Sequence, residues 1–178
     1  MYTEQDIKPL ISESQIQQAI KTMADNLNNL YKQEEVYLIC VLKGSVMFMT
    51  DLAKQLKMPV KMEFIRLSSY GSGTESSGKV RAIDILLPDL NDKNVIIAED
   101  IVDTGHTAKF LTDFFDYKFK VKSLTFCSLL DKKIKRVVDI NPDYYCFEID
   151  DKFVVGYGLD NDGLYRNLPY IGYIETQS

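Results

Sequence analysis

The stretch Val95-Ile96-Ile97-Ala98-Glu99-Asp100-Ile101-Val102-Asp103-Thr104-Gly105-His106-Thr107 decides how the rest of the chain is read. Its four leading apolar residues do not alternate with polar ones, so they predict a short strand over residues 95–98, buried on both faces. Three carboxylates follow, and then Thr-Gly-X-Thr where a helix should begin. At a helix N-terminus free amides and the helix dipole favour an anion. Acids beside an anion site are reconciled if the ligand is a sugar phosphate. Glu99 and Asp100 then accept from ribose hydroxyls or from magnesium-bound water, the amides of residues 103–107 hold the phosphate, and Gly105 lets the backbone come close. The plainer alternative is an ordinary capped helix, with Asp103 or Thr104 as the cap and the other acids solvated.

Working outward, Ser12-Glu13-Ser14-Gln15 forms a capping box, and Ile16, Ile20, Met23, Leu27, Leu30 and Tyr31 recur at spacings of three and four, which predicts a helix. Residues 36–42 predict a buried strand, residues 46–57 a helix that Pro59 breaks, and residues 60–67 and 81–87 two strands. Beyond the quoted stretch, residues 108–117 predict a helix and residues 123–130 a strand. This alternation implies an α/β fold with a mainly parallel central sheet flanked by helices. Ligands of such sheets bind beyond the carboxyl ends of the strands. No internal repeat or linker interrupts the pattern, so residues 1–178 are expected to form one domain.

With 26 acidic and 21 basic side chains the formal net charge is −5, whereas a nucleic-acid backbone calls for a basic surface. No nucleic-acid partner is expected. The longest apolar run, residues 36–42, falls far short of the roughly 18 residues of a membrane span, and Met1 to Asp6 carry no basic leader, so a cytoplasmic protein without a membrane partner is expected. Cys40, Cys127 and Cys146 are odd in number and lie far apart in apolar runs, which fits buried reduced thiols better than a disulfide framework or a zinc site.

The quoted stretch resembles the phosphoribosyl diphosphate signature of the type I phosphoribosyltransferases: an apolar strand, two acids, two apolar residues, then Asp-Thr-Gly-X-Thr. Further stretches narrow the likeness to the hypoxanthine-guanine phosphoribosyltransferases, in the family's order from Ile39 to Ile174. These are Leu42-Lys43-Gly44-Ser45, Ser68-Ser69-Tyr70-Gly71, Leu130-Asp131-Lys132, Phe153-Val154-Val155-Gly156-Tyr157-Gly158-Leu159-Asp160, and Tyr165-Arg166-Asn167-Leu168-Pro169-Tyr170-Ile171-Gly172.

The resemblance implies a sheet domain with a small hood and a flexible active-site loop, and an enzyme that joins hypoxanthine or guanine to phosphoribosyl diphosphate with Mg2+. In that likeness Glu99, Asp100, Thr104, Gly105, His106 and Thr107 bind the phosphoribosyl group. Lys43, Gly44, Ser69, Tyr70 and Arg166 bind diphosphate, the Lys43-Gly44 loop through a non-proline cis peptide. Asp103 exchanges a proton with ring nitrogen 7 of the purine. Lys132 donates to the 6-oxo group, Phe153 stacks on the base, the Val154 carbonyl accepts from the 2-amino group of guanine, and Asp160 joins Glu99 and Asp100 as a magnesium ligand. Residues 68–80, with five serines and three glycines, have the composition of a linker but are expected to be a lid. From composition alone, Lys132 belongs to a basic run with Lys133, Lys135 and Arg136 that reads as an ordinary solvated face. The family's members are oligomers, so a homodimer or homotetramer is expected.

Three places depart from the family's pattern. His106 fills a variable position whose amide alone is needed, Lys133-Ile134-Lys135 replaces a common Pro-Ser-Arg and loosens the placement of Arg136, and Asn161-Asp162-Gly163 follows Asp160 where many members have tyrosine first. The rival function is a regulator of the same fold that binds nucleotide or RNA, which should carry a basic face. A nicotinamide-dependent oxidoreductase is disfavoured because GxGxxG is absent.

Overall fold

The computed structural model describes residues 7–69 and 80–175. In chain order the elements are β1 (Ile7–Ile11), α1 (Glu13–Tyr31), β2 (Val36–Leu42), α2 (Val46–Gln55), β3 (Val60–Ser69), β4 (Val80–Ile85), β5 (Asn94–Val102), α3 (His106–Lys118), β6 (Ser123–Asp131), a 3₁₀ turn (Lys133–Lys135), β7 (Tyr144–Glu148), β8 (Phe153–Val155) and β9 (Ile171–Ile174). Six strands form the main sheet in the order β4-β3-β2-β5-β6-β7, with every pair parallel except β3 and β4.

The unalternating run of β2 is explained by cover on both faces. Leu38 and Cys40 face the layer of α1 and α2 with Ile16, Ile20, Leu27, Phe48 and Leu52, while Tyr37, Ile39 and Val41 face the layer of α3 with Leu111 and Phe115. Ile96 and Ala98 of β5 join the first layer, Val95 and Ile97 the second. The strand expected over 95–98 runs on through the acids to Val102, because its parallel ladder with β6 continues as far as the Val102–Asp131 pair. The acids therefore stand at the carboxyl end of a central strand.

The hood is a separate antiparallel sheet of order β1-β9-β8 with its own small core of Ile7, Val155, Leu168 and Ile174. It joins the two ends of the chain, pairing Ile7 with Ile174. Pro9 is tolerated because β1 is the edge strand and its ladder is interrupted between Pro9 and Ile11. The residues that begin and end the expected lid are strand instead: β3 extends to Ser69 and β4 starts at Val80, paired to each other. Tyr70 and residues 71–79, the remainder of the expected lid, lie outside the described residues.

The capping box at the start of α1 is present, with the Ser12 amide donating to Gln15 Oε1 at 2.9 Å and the Gln15 amide donating to Ser12 Oγ at 3.4 Å. Ser12→Ala is expected to cost about 1 kcal/mol in chemical denaturation with activity unchanged. Among the described residues no helix is long and apolar enough to cross a membrane.

Candidate active site

Two helices begin at the carboxyl ends of central strands, and neither is capped by a side chain. At α2 the Ser45 hydroxyl turns away to donate to the Val41 carbonyl at 2.7 Å, and at α3 the cap position is Gly105 at φ 90°. The reading of Asp103 or Thr104 as an ordinary helix cap is thereby corrected. A left-handed backbone favours glycine, and at this point it releases the first amides of α3 toward the loop. The one long helix remote from these loops, α1, has both its cap bonds. The contrast leaves amides without a side-chain cap where the strands end, a setting that favours an anion.

Between the two helix starts lies a cavity of about 210 Å3 whose wall includes Lys43, Gly44, Glu99, Asp100, Thr107, Asp160 and Arg166. The Leu42–Lys43 peptide is cis. The Gly44 backbone is closely approached from two sides: a Cβ at Gly44 would fall 1.5 Å from Asp100 Oδ2, and one at Gly158 would fall 1.9 Å from the Gly44 carbonyl oxygen. Asp160 and Arg166 form an ion pair at 2.6 Å, and Arg166 also donates to the Gly158 carbonyl at 2.6 Å. The unusual Asn161-Asp162-Gly163 segment is a hairpin turn, with Asp162 at φ 50° and Gly163 at φ 80°, whose Gly163 amide donates to Asp160 Oδ2 at 2.7 Å.

Burial, reinforced by the Asp100 charge, pushes the Glu99 carboxyl well above the usual carboxylate range, and Glu99 Oε2 is buried without a hydrogen-bond partner among the described residues. Burial raises Asp100 from 3.8 to about 6, against the lowering pull of the Ile101 amide at 2.8 Å and of Arg166. A carboxylate raised on folding binds protons more tightly in the folded state, so its contribution is present below its unfolded value of 3.8 and is lost as pH rises toward about 6. The ligand-free protein is therefore expected to lose stability across that window. Asp100→Asn should flatten the decline, read as the difference between the two unfolding-temperature curves; parallel curves would contradict it.

A second group lies where the sheet meets the hood. The Lys132 amide donates to the Val102 carbonyl at 2.9 Å, tying the end of β6 to the end of β5 beside Asp103. Lys132 is 7% exposed, and its ammonium donates to the Lys152 carbonyl at 2.8 Å. The solvated basic face expected from composition is thus corrected at this residue. Phe153, next to Lys152 at the start of β8, leaves 42% of its surface open, while Val154 is buried. Asp103 is half-buried, with Oδ1 lacking a hydrogen-bond partner among the described residues. Its carbonyl accepts from Arg136 Nε at 3.0 Å, and the same guanidinium donates to the Val102 carbonyl at 3.2 Å and pairs with the wholly buried Asp131.

The phosphoribosyl transferase domain family matches residues 11–162. The chain belongs to that family. It is 41% identical to the hypoxanthine-guanine phosphoribosyltransferase of Streptococcus thermophilus over 175 residues, covering 98% of this chain and 97% of that one. Among solved structures it is similar to the hypoxanthine phosphoribosyltransferase of Staphylococcus aureus, with TM-score 0.90 and 42% identity over 96% of this chain and 93% of that one. The hypoxanthine phosphoribosyl transferase of Trypanosoma cruzi, studied for the role of its C-terminal region in oligomeric state and activity, superposes with TM-score 0.87 and 39% identity over 94% of this chain and 91% of that one.

Within this phosphoribosyltransferase fold, the residues singled out from the sequence fall into three groups. Lys43, Gly44, Glu99, Asp100, Thr107, Asp160 and Arg166 share the cavity; Asp103, Thr104 and Gly105 form the loop that leads into α3, which His106 opens; Lys132, Phe153 and Val154 lie at the hood. Ser69 ends β3, its side chain undescribed, and Tyr70 is outside the described residues. Asp131 and Arg136 were not read as partners from the sequence. Nothing in their spacing marks a basic residue that turns back onto two carbonyls of a neighbouring loop.

Proposed function

We propose that this phosphoribosyltransferase, acting as a single domain, works in purine salvage. It transfers the 5-phosphoribosyl group of phosphoribosyl diphosphate to hypoxanthine or guanine, releasing diphosphate and the nucleoside monophosphate. The observation that carries this reading is the unpartnered, buried Asp103 oxygen at the head of an uncapped helix, one strand away from the buried Lys132 ammonium. In this reading the loop amides and Thr107 hold the 5-phosphate, and the Lys43-Gly44 backbone and Arg166 hold the diphosphate. Asp103 faces the imidazole edge of the base and holds its proton, while Lys132 donates to the 6-oxo group above the Phe153 ring. The bond from the anomeric carbon to diphosphate breaks as the bond to the purine nitrogen forms. The carboxylates of Glu99, Asp100 and Asp103 stabilise the positive charge that develops on the sugar.

Among the described residues no cluster of three His, Cys, Asp or Glu side chains is set to hold a metal by itself. That suits magnesium, which keeps waters and substrate oxygens and takes only one or two carboxylates. Glu99 Oε2, unpartnered and buried beside Asp100, fits such a cation or its water, and Asp160 offers a carboxylate on the opposite wall. When bound, magnesium supplies charge neutralisation on the diphosphate.

The test is incubation with magnesium, phosphoribosyl diphosphate and one purine at a time. Hypoxanthine or guanine should give monophosphate and diphosphate, and failure with every 6-oxo purine would overturn the reading. Excess chelator should abolish turnover and added magnesium restore it; full turnover in chelator would remove the metal from the proposal. The free thiols Cys40, Cys127 and Cys146 and a highly charged substrate support a cytoplasmic enzyme. Met62 and Phe64, on the sheet face of Leu38 and Cys40 but 43% and 44% exposed, support burial against a second copy, so a homodimer or homotetramer is proposed, to be checked by sedimentation.

A further inference from the structure

The loop that carries Asp160 is fixed at two places, to the Gly44 turn that leads into α2 and to α2 itself, and only the first is through backbone on both sides. The Gly158 backbone lies against the Gly44 carbonyl, so closely that no Cβ would fit. The other is the phenol of Tyr157, which donates to Asp51 Oδ2 at 2.6 Å. Asp51 stands in the second turn of α2, the helix that begins directly after Lys43-Gly44-Ser45. The same carboxylate accepts from Gln17 Nε2 of α1 at 2.8 Å and from Lys54 at 3.0 Å, so it is held from three directions.

Tyr157 is buried, and its own backbone is left-handed at φ 49° between Gly156 at 96° and Gly158 at 101°. A tyrosine adopts that conformation only where its surroundings hold it. The amides on either side bind the neighbouring segment: Tyr157 N donates to the Leu168 carbonyl at 2.8 Å and Gly158 N to the Arg166 carbonyl at 2.9 Å. The turn that holds Arg166 and Asp160 is thus built on Tyr157. Burial pushes Asp51 up, but the hydrogen bonds from Tyr157, Gln17 and Lys54 outweigh it and leave the carboxyl below its ordinary value. Burial and this anionic partner together push the Tyr157 phenol well up, so the phenol keeps its proton and is the donor.

We infer that Tyr157 and Asp51 are positioning residues for the leaving group: their hydrogen bond fixes how far the Asp160–Arg166 turn stands from the Lys43-Gly44 backbone, and so sets the grip on diphosphate. The inference rests on the proposed function in taking diphosphate as the group held between these two walls. Neither side chain lines the cavity. A role in catalysis is therefore exerted through the residues that do.

Tyr157→Phe removes the hydroxyl alone. It is expected to raise KM for phosphoribosyl diphosphate, and Kd for magnesium diphosphate in calorimetry, about 10-fold, with KM for hypoxanthine within about 2-fold of the parent. Asp51→Ala should reproduce the effect, and the double variant should be no worse than either single one. Asp51→Asn keeps an oxygen acceptor and should recover part of the loss. An equal rise in both KM values, additive single effects, or a lowered unfolding temperature with unchanged constants would overturn the inference. Should Tyr157→Phe not fold, Asp51→Asn decides by the same split of KM values. If the parent enzyme forms no nucleotide from any purine, the proposed function fails while the diphosphate titration still decides: weaker binding by Tyr157→Phe supports the inference and equal binding overturns it. A parent protein that binds no diphosphate overturns both.

Discussion

Asp103→Asn is expected to lower kcat by about 10²- to 10⁴-fold while changing the Kd for phosphoribosyl diphosphate by less than about 3-fold. The amide has the shape of the acid but can neither accept the purine proton nor place a negative charge opposite the developing positive charge of the sugar. The fold gives the substitution little else to disturb. The main chain at this position is fixed through its carbonyl by Arg136, and α3 starts at Gly105 with no side-chain cap, so helix stability does not depend on the carboxylate. An unfolding temperature equal to the parent's is part of the expected result. The measurement is kcat from steady-state rates beside equilibrium titration of phosphoribosyl diphosphate; a variant with parental kcat would take Asp103 out of the chemistry. Equal losses in kcat and in substrate affinity would assign it to binding the sugar instead.

How much of this arrangement the sequence revealed follows the range of the interactions involved. β2 and α1 were legible because one apolar run and one apolar stripe with a capping box are local patterns. The phosphate loop was legible for the same reason, since strand, acids and Thr-Gly-X-Thr are contiguous. The extent of β5 was not, because Glu99 and Asp100 are strand residues by virtue of the ladder with β6, which overrides their poor strand preference. β1 escaped notice because Pro9 disrupts its pattern and its partner, β9, is at the far end of the chain. Lys132 looked solvated because its neighbours Lys133 and Lys135 do face water. The turn at the end of β6 and the arrival of Lys152 from the hood bury Lys132, and Arg136 of the same run folds back onto Asp131 and the Val102 and Asp103 carbonyls. The Arg136–Asp131 pair and the Tyr157–Asp51 bond were equally hidden, each being a contact from a loop to a strand end or a helix that no periodicity records.

Lys132→Met should raise KM for hypoxanthine and for guanine about 10- to 100-fold, the loss of a charge-assisted hydrogen bond of roughly 1.5 to 3 kcal/mol. Methionine keeps an unbranched stem, so the apolar contacts of the buried chain survive and the ammonium is what the experiment removes. Both bases carry the 6-oxo group, so both should suffer alike, whereas a general distortion of the pocket would separate them by their 2-amino group. Adenine should gain in relative terms, because an ammonium offers only donors and a 6-amino group gives its base-facing donor no acceptor. The substitution also takes away the donor to the Lys152 carbonyl, so a stability loss of about 1 to 2 kcal/mol is expected beside the kinetic effect. That loss alone would come from any buried lysine. The common penalty on the two 6-oxo bases, together with a relaxed bar against adenine, comes only from a lysine that reads the 6-position, and unchanged KM values for all three bases would leave Lys132 as a strut between β6 and the hood.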